Sequence, residues 1–363
     1  MNKSLGYIAG LDGLRAIAVS LVMVSHAHTP FFDNGMLGVD IFFVLSGFLI
    51  TRILLNEQIE TGRIDTLRFY VNRFMRLTPP LLLLLLLYVM LAPLTWPQDT
   101  HTLRDAGIAG LYLSDYALAL EGIPGRLRHT WSLAVEEHFY LLWPLALLVM
   151  RSCRPATRVL ILAAVYVLAT LWRIECASVQ SWDAVYYRFD TRFSGLMLGA
   201  LLAAMMDVDW RRYAKPGVMP LVALSGLLVI LLGLGDGGGW KHTPVLQYGV
   251  IGTELVTAAT ILAILQSESQ IKWLAHPLLT YIGRLSYGMY LFHYPVMLYF
   301  RETSGWADAL LYGGIGGTLL AALSYHTLEA RVRRWRKTRQ AEHVPLPVAL
   351  SPAEATAGRS GSL

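Results

Sequence analysis

Apolar residues in this chain come in long blocks, not in the short alternations of a soluble sheet or an amphipathic helix. Runs long enough for a helix to cross a bilayer, about 20 residues, recur at roughly 12–28, 37–55, 79–97, 132–150, 157–173, 192–207, 216–234, 247–266, 281–300 and 308–328. They predict an all-α polytopic membrane protein, ten transmembrane helices in one bundle. Between residues 98 and 131 a shorter stretch, "AGIAGLYLSDYALAL", carries Asp115. It reads as a re-entrant or interfacial segment near 105–120.

Composition agrees with that pattern. Only 15% of residues are charged and 55% are hydrophobic, with a mean hydropathy of +0.47; soluble domains carry about 25% charged residues. Alternate connections are basic: Arg63, Arg68, Arg73 and Arg76, then Arg151, Arg154 and Arg158, then Arg211, Arg212 and Lys215. The strongest run, "ARVRRWRKTRQ", follows the tenth span, whereas residues 29–36 contain no Lys or Arg. By the positive-inside rule this places both termini in the cytoplasm. The net charge of +5 then reflects topology, and no nucleic-acid partner is needed to explain it. Residues 1–27 could imitate a cleavable leader, but Arg15 interrupts the apolar region and argues against one. Residues 341–363, rich in Pro, Ala, Ser and Gly, read as a disordered cytoplasmic tail, with no room for a further soluble domain. Cys153 and Cys176 fall on opposite sides of the membrane, so no disulfide is expected. No inverted repeat of the transporter kind is visible.

Chemistry is suggested first by Arg15 and His26, eleven residues apart in "LRAIAVSLVMVSH". On a helix that spacing is about 1100°, so both side chains share a face, roughly 16 Å apart along the axis. Ionisable groups on an apolar helix face a protein interior or a wet cavity and are functional by default; the plainer reading is a snorkelling Arg and a packed neutral His. Arg73 and Arg76 in "RFMRLTPP" also share a face and suit bidentate phosphate binding, or serve as ordinary positive-inside anchors. These arginines form a cytoplasmic layer.

His26, Asp40 and the Glu136–Glu137 pair form an outer layer. Adjacent carboxylates diverge on a helix, so one of the two glutamates faces His26, where it could orient the imidazole for general-base chemistry on a hydroxyl. Trp131, Phe139, Tyr140 and Trp143 read mostly as an interfacial aromatic belt. His28 and Asp33 have the spacing used by glycerolipid acyltransferases, but a two-residue pattern in a short loop broken by Pro30 is weak. His293 reads as a packed histidine. No cluster has metal-ligand spacing, and no Gly-rich phosphate loop is present.

At these residues the chain resembles the bacterial membrane-bound acyltransferase-three family, whose members O-acylate cell-envelope and exported glycans. The likeness runs along most of residues 7–335, through "LDGLRAIAVSLVMVSH", "GVDIFFVLSGFLIT", "YVNRFMRLTPP", "HTWSLAVEEHFYLLWP", "TRFSGLMLGALLA" and "IGRLSYGMYLFHYPV" in order. The family's basic-residue-to-His motif falls on Arg15 and His26, its paired arginines on Arg73 and Arg76, and its late-helix glutamate on Glu329. The resemblance implies an acyltransferase domain over residues 1–340 in the inner membrane and an acyl-CoA donor, most often acetyl-CoA. The implied acceptor is a hydroxyl of a glycan or lipid-linked glycan. Some relatives add an esterase-like domain. Without one, the membrane part is expected to act alone or with polysaccharide-assembly partners.

In that scheme Arg73 and Arg76 hold CoA phosphates and Arg15 assists along the pantetheine path. His26, supported by Glu136 or Glu137 and Asp40, deprotonates the acceptor, or itself carries the acyl group in a two-step route. Trp131, Tyr140, His293 and Glu329 are the remaining candidates along the substrate path. The rivals are transfer to a lipid or small metabolite, and a transporter of a small anion or lipid-linked sugar.

Overall fold

The computed structural model describes residues 6–30, 32–208, 242–266 and 271–335, and all regular structure among them is helical. Seven helices are long and apolar enough to cross a membrane. In chain order the helices are α1 (Ala9–His26), α2 (Asn34–Thr61) and α3 (Thr66–Thr95), then the short α4 (Thr102–Gly110) and α5 (Ser114–Glu121). After these come α6 (Arg128–Ser152) and α7 (Pro155–Val179), then the short α8 (Trp182–Tyr186), α9 (Phe189–Arg192) and α10 (Ser194–Met205). The last three are α11 (Val245–Gln266), α12 (Pro277–Thr303) and α13 (Trp306–Trp335). Two expected spans are α10, apolar but only 12 residues, and α12, which is 27 residues but has its hydropathy lowered by Arg284, His293 and Arg301. The span expected at 216–234, the basic residues Arg211, Arg212 and Lys215, and the tail at 341–363 lie outside the described residues. The segment near 105–120 is the α4–α5 pair, two short helices too brief to span.

Local signals set the ends. Gly62, at φ +73°, closes α2 in the left-handed conformation that glycine adopts without a Cβ penalty. Asp65 accepts from the Arg68 amide at 2.9 Å and caps α3. Pro155 and Pro277 open α7 and α12, where a missing N–H costs nothing.

With no hydrophobic driving force between helices in lipid, close packing depends on small residues. A Cβ on Gly199 would sit 2.0 Å from the Val44 carbonyl oxygen, and one on Gly47 2.0 Å from that of Leu196. The α2–α10 seam therefore requires glycine at both places. Buried ion pairs join the helices around it: Arg192–Asp40 at 2.8 Å, Arg173–Glu254 at 3.3 Å and Arg52–Asp207 at 2.7 Å.

One expectation is corrected here. Trp131, Phe139, Tyr140 and Trp143 are all buried, so they are packing residues of the bundle and no interfacial belt. Trp143 Nε1 donates to Thr51 Oγ1 at 2.7 Å, which satisfies the indole N–H inside the protein. Cys153 and Cys176 are both free.

Candidate active site

Arg15 and His26 mark two ends of a line of cavities along α1. At the His26 end, α12 lies against α1 and brings His293 Nε2 to 2.7 Å from His26 Nδ1. His293 Nδ1 lies 2.9 Å from the Met289 carbonyl oxygen. A carbonyl only accepts, so His293 Nδ1 carries the proton and, in the neutral ring, Nε2 is the acceptor. His26 Nδ1–H must then donate to it, which leaves His26 Nε2 with its lone pair. The two rings stack at 5.0 Å, and Tyr294 meets His26 edge-on at 4.9 Å. Arg301 Nη1 donates to the His26 carbonyl oxygen at 2.7 Å. Behind His293, α13 approaches so closely that a Cβ on Gly317 would lie 2.6 Å from the His293 Cα.

The carboxylates expected to support His26 are elsewhere. Asp40 receives Arg192 Nη2 at 2.8 and 3.0 Å. Glu136 accepts from Ser46 Oγ at 2.7 Å and from Tyr140 Oη at 3.0 Å. Neither Glu136 nor Glu137 pairs with His26. The reason is depth: Glu136 lies five residues beyond Trp131 on α6, about 7.5 Å further along the axis, and this carries it to the level of Arg15. It belongs to the arginine layer, not the outer one.

That layer is a cavity of about 180 Å³ lined by Arg15, Arg73, Arg76, Glu136, Tyr140 and Tyr290 among others. Arg73 lies over the rings of Phe69 and Tyr140, at 5.7 and 5.3 Å. A second cavity of about 260 Å³ shares Arg15, Arg76 and Tyr287 with the first and adds Arg284, Glu329 and Arg333. Glu329 thus lies on the arginine side, 3.7 Å from Arg333. Arg15 Nε is buried without a hydrogen-bond partner, an N–H donor in reserve beside both cavities.

His26 lines a third cavity, of about 370 Å³, with His129, Trp131, Tyr186, Tyr294 and Arg128. His129 Nε2 lies 3.1 Å from the Leu291 carbonyl and so donates to it; Nδ1 is a buried acceptor with no partner. Trp131 and Tyr186 are backed by the Arg192 guanidinium, 5.5 and 4.8 Å from their ring centres. Asp40 therefore acts through Arg192 on the wall of this cavity. Hydrogen bonds tie the lining of the arginine cavity to that of the His26 cavity. Tyr290 and Ser132, 2.6 Å apart, line the arginine side, and Tyr290 Oη donates to the His129 carbonyl at 2.8 Å.

Sequence reasoning named Arg15, His26, Arg73 and Arg76, with Trp131, Tyr140 and Glu329 along the substrate path, and all of them line the cavities. His293, named on that path but read as packed, instead holds the His26 ring, and His129, Ser46, Tyr290 and Arg192 were not singled out. The available signal was that His293, like His26, lies inside an apolar run, and that His129 lies just before one. Among the described residues no group of three or more His, Cys, Asp or Glu side chains is arranged to hold a metal ion.

The sequence profile of the acyltransferase domain family matches residues 8–325. The chain is 30% identical over 353 residues to the O-acetyltransferase OatA of Staphylococcus aureus, covering 90% of this chain and 57% of that protein. It is 33% identical over 348 residues to the Bacillus subtilis protein YrhL, named for peptidoglycan O-acetylation, and 29% identical over 354 to the peptidoglycan O-acetyltransferase OatA of Listeria monocytogenes. The chain spans little more than half the length of these relatives. No solved structure matches.

Proposed function

The chain belongs to the acyltransferase domain family, and we propose that it transfers an acetyl group from cytoplasmic acetyl-CoA, across the bacterial inner membrane, to a hydroxyl of an envelope glycan or its lipid-linked precursor. The observation that carries this reading is the oriented pair His26–His293, which presents a basic imidazole nitrogen in one cavity while arginines line another along the same helix. The relatives named for O-acetylation of peptidoglycan support acetyl as the group transferred and a glycan as the acceptor.

In this mechanism Arg73, Arg76 and Arg284 hold the CoA phosphates, and Arg15, with its unused Nε–H, meets the pantetheine arm or its carbonyls. The arm extends along α1 toward His26, about 16 Å beyond Arg15, past Tyr290 and Ser132. His26 Nε2 takes the proton of the acceptor hydroxyl as its oxygen attacks the thioester carbonyl. The tetrahedral intermediate collapses, the C–S bond breaks, and the leaving thiolate takes the proton from the His26 imidazolium. The products are the acetyl ester and CoA-SH. The His293 acceptor keeps the proton of His26 on Nδ1 throughout, the orienting role that a carboxylate plays in hydrolase triads. His129 Nδ1 accepts from a second hydroxyl or amide of the acceptor, and the Trp131–Tyr186 wall offers sugar rings an apolar face.

The test is acetyl transfer by the purified protein in nanodiscs, paired with proton NMR of envelope polysaccharides from strains with and without the gene. Retention of the O-acetyl signals in the deletion strain, with no CoA release by the protein, would overturn the reading.

A further inference from the structure

The His26 cavity is basic on the side of the membrane where the connections are otherwise poor in Lys and Arg. Arg126, Arg128 and Arg301 line it, with Glu302 as the one carboxylate among the lining residues. Each oxygen of Glu302 already has a donor: Arg126 Nη1 binds one, and Trp96 Nε1 donates to the other at 2.8 Å. Arg126 also has Asp99 within 3.9 Å. Among the described residues neither Arg128 nor Arg301 has a carboxylate within ion-pair distance; Arg128 has a side-chain hydrogen bond with Tyr187, and Asp183 further off. Arg301 uses Nη1 on the His26 carbonyl, so a guanidinium is anchored to the backbone of the very residue whose ring faces the acceptor. Two half-buried guanidiniums with no carboxylate in contact, beside an orphan acceptor on His129, leave the cavity lining with more cations than anions.

We propose that Arg128 and Arg301 form an anion subsite for the acceptor, so that the preferred glycan bears a carboxylate or phosphate close to the hydroxyl that is acylated. This rests on the assignment of the His26 cavity to the acceptor. An anion held there would give the acceptor one orientation, with the hydroxyl toward His26 Nε2 and the charge toward Arg128 and Arg301. Rim arginines would also draw an anionic chain into a cleft with apolar walls.

Binding tests this without relying on turnover. Three probes are compared by calorimetry on the nanodisc protein: a disaccharide of glucuronic acid and N-acetylglucosamine, its carboxyl-reduced neutral counterpart, and that neutral disaccharide as a pyrophosphate ester of a short prenol. At least one anionic probe is expected to bind tenfold or more tighter than the neutral one, with the gap narrowing at high salt. Which anionic probe binds separates a sugar carboxylate from a lipid-linked phosphate. Arg128→Gln and Arg301→Gln should each bring the anionic-to-neutral ratio toward one; Arg128→Gln is the decisive variant because Arg301 also braces the end of α1. Equal binding of all three probes, or a preference that survives both substitutions, overturns the subsite. Acetyl transfer that proceeds without any anion preference would sink the subsite alone. Anion preference without transfer or CoA release would sink the catalytic reading alone.

Discussion

Replacing His293 with Phe isolates the orientation of His26. The phenyl ring fills much the same volume in a fully buried position but removes the acceptor 2.7 Å from His26 Nδ1. His26 then has two options. It can keep its Nδ1–H unpaired, which costs about 1–3 kcal/mol for a buried donor. It can instead move the proton to Nε2, which abolishes the base. Either route lowers the population of the competent ring, and 1–3 kcal/mol is roughly a 5- to 150-fold loss in rate. His293→Gln is the informative companion. Its amide oxygen can accept from His26 while its NH₂ donates to the Met289 carbonyl, so it should recover part of the rate lost in His293→Phe. The assay is acetyl transfer in nanodiscs, with acetyl-CoA affinity by calorimetry and size-exclusion profiles to establish folding. In a His26→Ala background the His293 substitution should have almost no further effect, because residues acting as a unit are not additive. A well-folded His293→Phe protein with wild-type turnover would refute the orienting role. Full additivity of the two substitutions would show that His293 acts independently of His26.

Three further outcomes follow from the geometry. Arg73→Ala and Arg76→Ala should weaken acetyl-CoA binding in calorimetry by roughly ten- to more than a hundredfold, the worth of one charge-assisted contact, and unchanged affinity in both would reduce the pair to membrane anchors. Single cysteines at Gln98 and at Arg63 should label from outside intact cells and only after lysis, respectively, following the loop charge asymmetry; reversal would exchange the donor and acceptor sides. Asp40→Ala should lower the unfolding temperature sharply, because stripping the partner from buried Arg192 costs about 3–5 kcal/mol. A protein of undiminished stability that has lost transfer would instead make Asp40 a participant in the chemistry.

Which parts of this molecule could be read from its sequence depends on how far apart in the chain the interacting groups lie. Arg15 and His26 are on one helix, and helical periodicity alone places them on one face. Arg73 and Arg76 are similarly local, and the structure brings them to Arg15 because both segments border one cavity. Glu136 was visible as an ionisable residue in an apolar run, but its level was misjudged. That level depends on where α6 enters the bundle, and Trp131, at its start, looks like a membrane-surface aromatic until its burial is known. The short α4–α5 pair stood out through Asp115 and its length. The pairing of His26 with His293 spans 267 residues, and no local pattern encodes it.

The choice of a histidine over a carboxylate beside His26 has a physical logic that the sequence pattern obscured. A buried carboxylate in a bundle of low polarity needs a cation or several donors to stay charged. Asp40, Glu254 and Asp207 each lie against an arginine, and Glu136 is met by two hydroxyls. A carboxylate facing His26 would also have oriented it, as in hydrolase triads, but would have favoured the imidazolium and so left less of the ring as free base. A neutral His293, its own proton tied to a backbone carbonyl, fixes the tautomer of His26 without adding charge to a cavity that already contains Arg126, Arg128 and Arg301. Introducing a carboxylate by His293→Asp should therefore lower transfer at neutral pH even where the protein folds, and the rate should recover only as rising pH removes the proton from His26. A pH–rate profile of that variant overlying the wild-type curve would remove the argument.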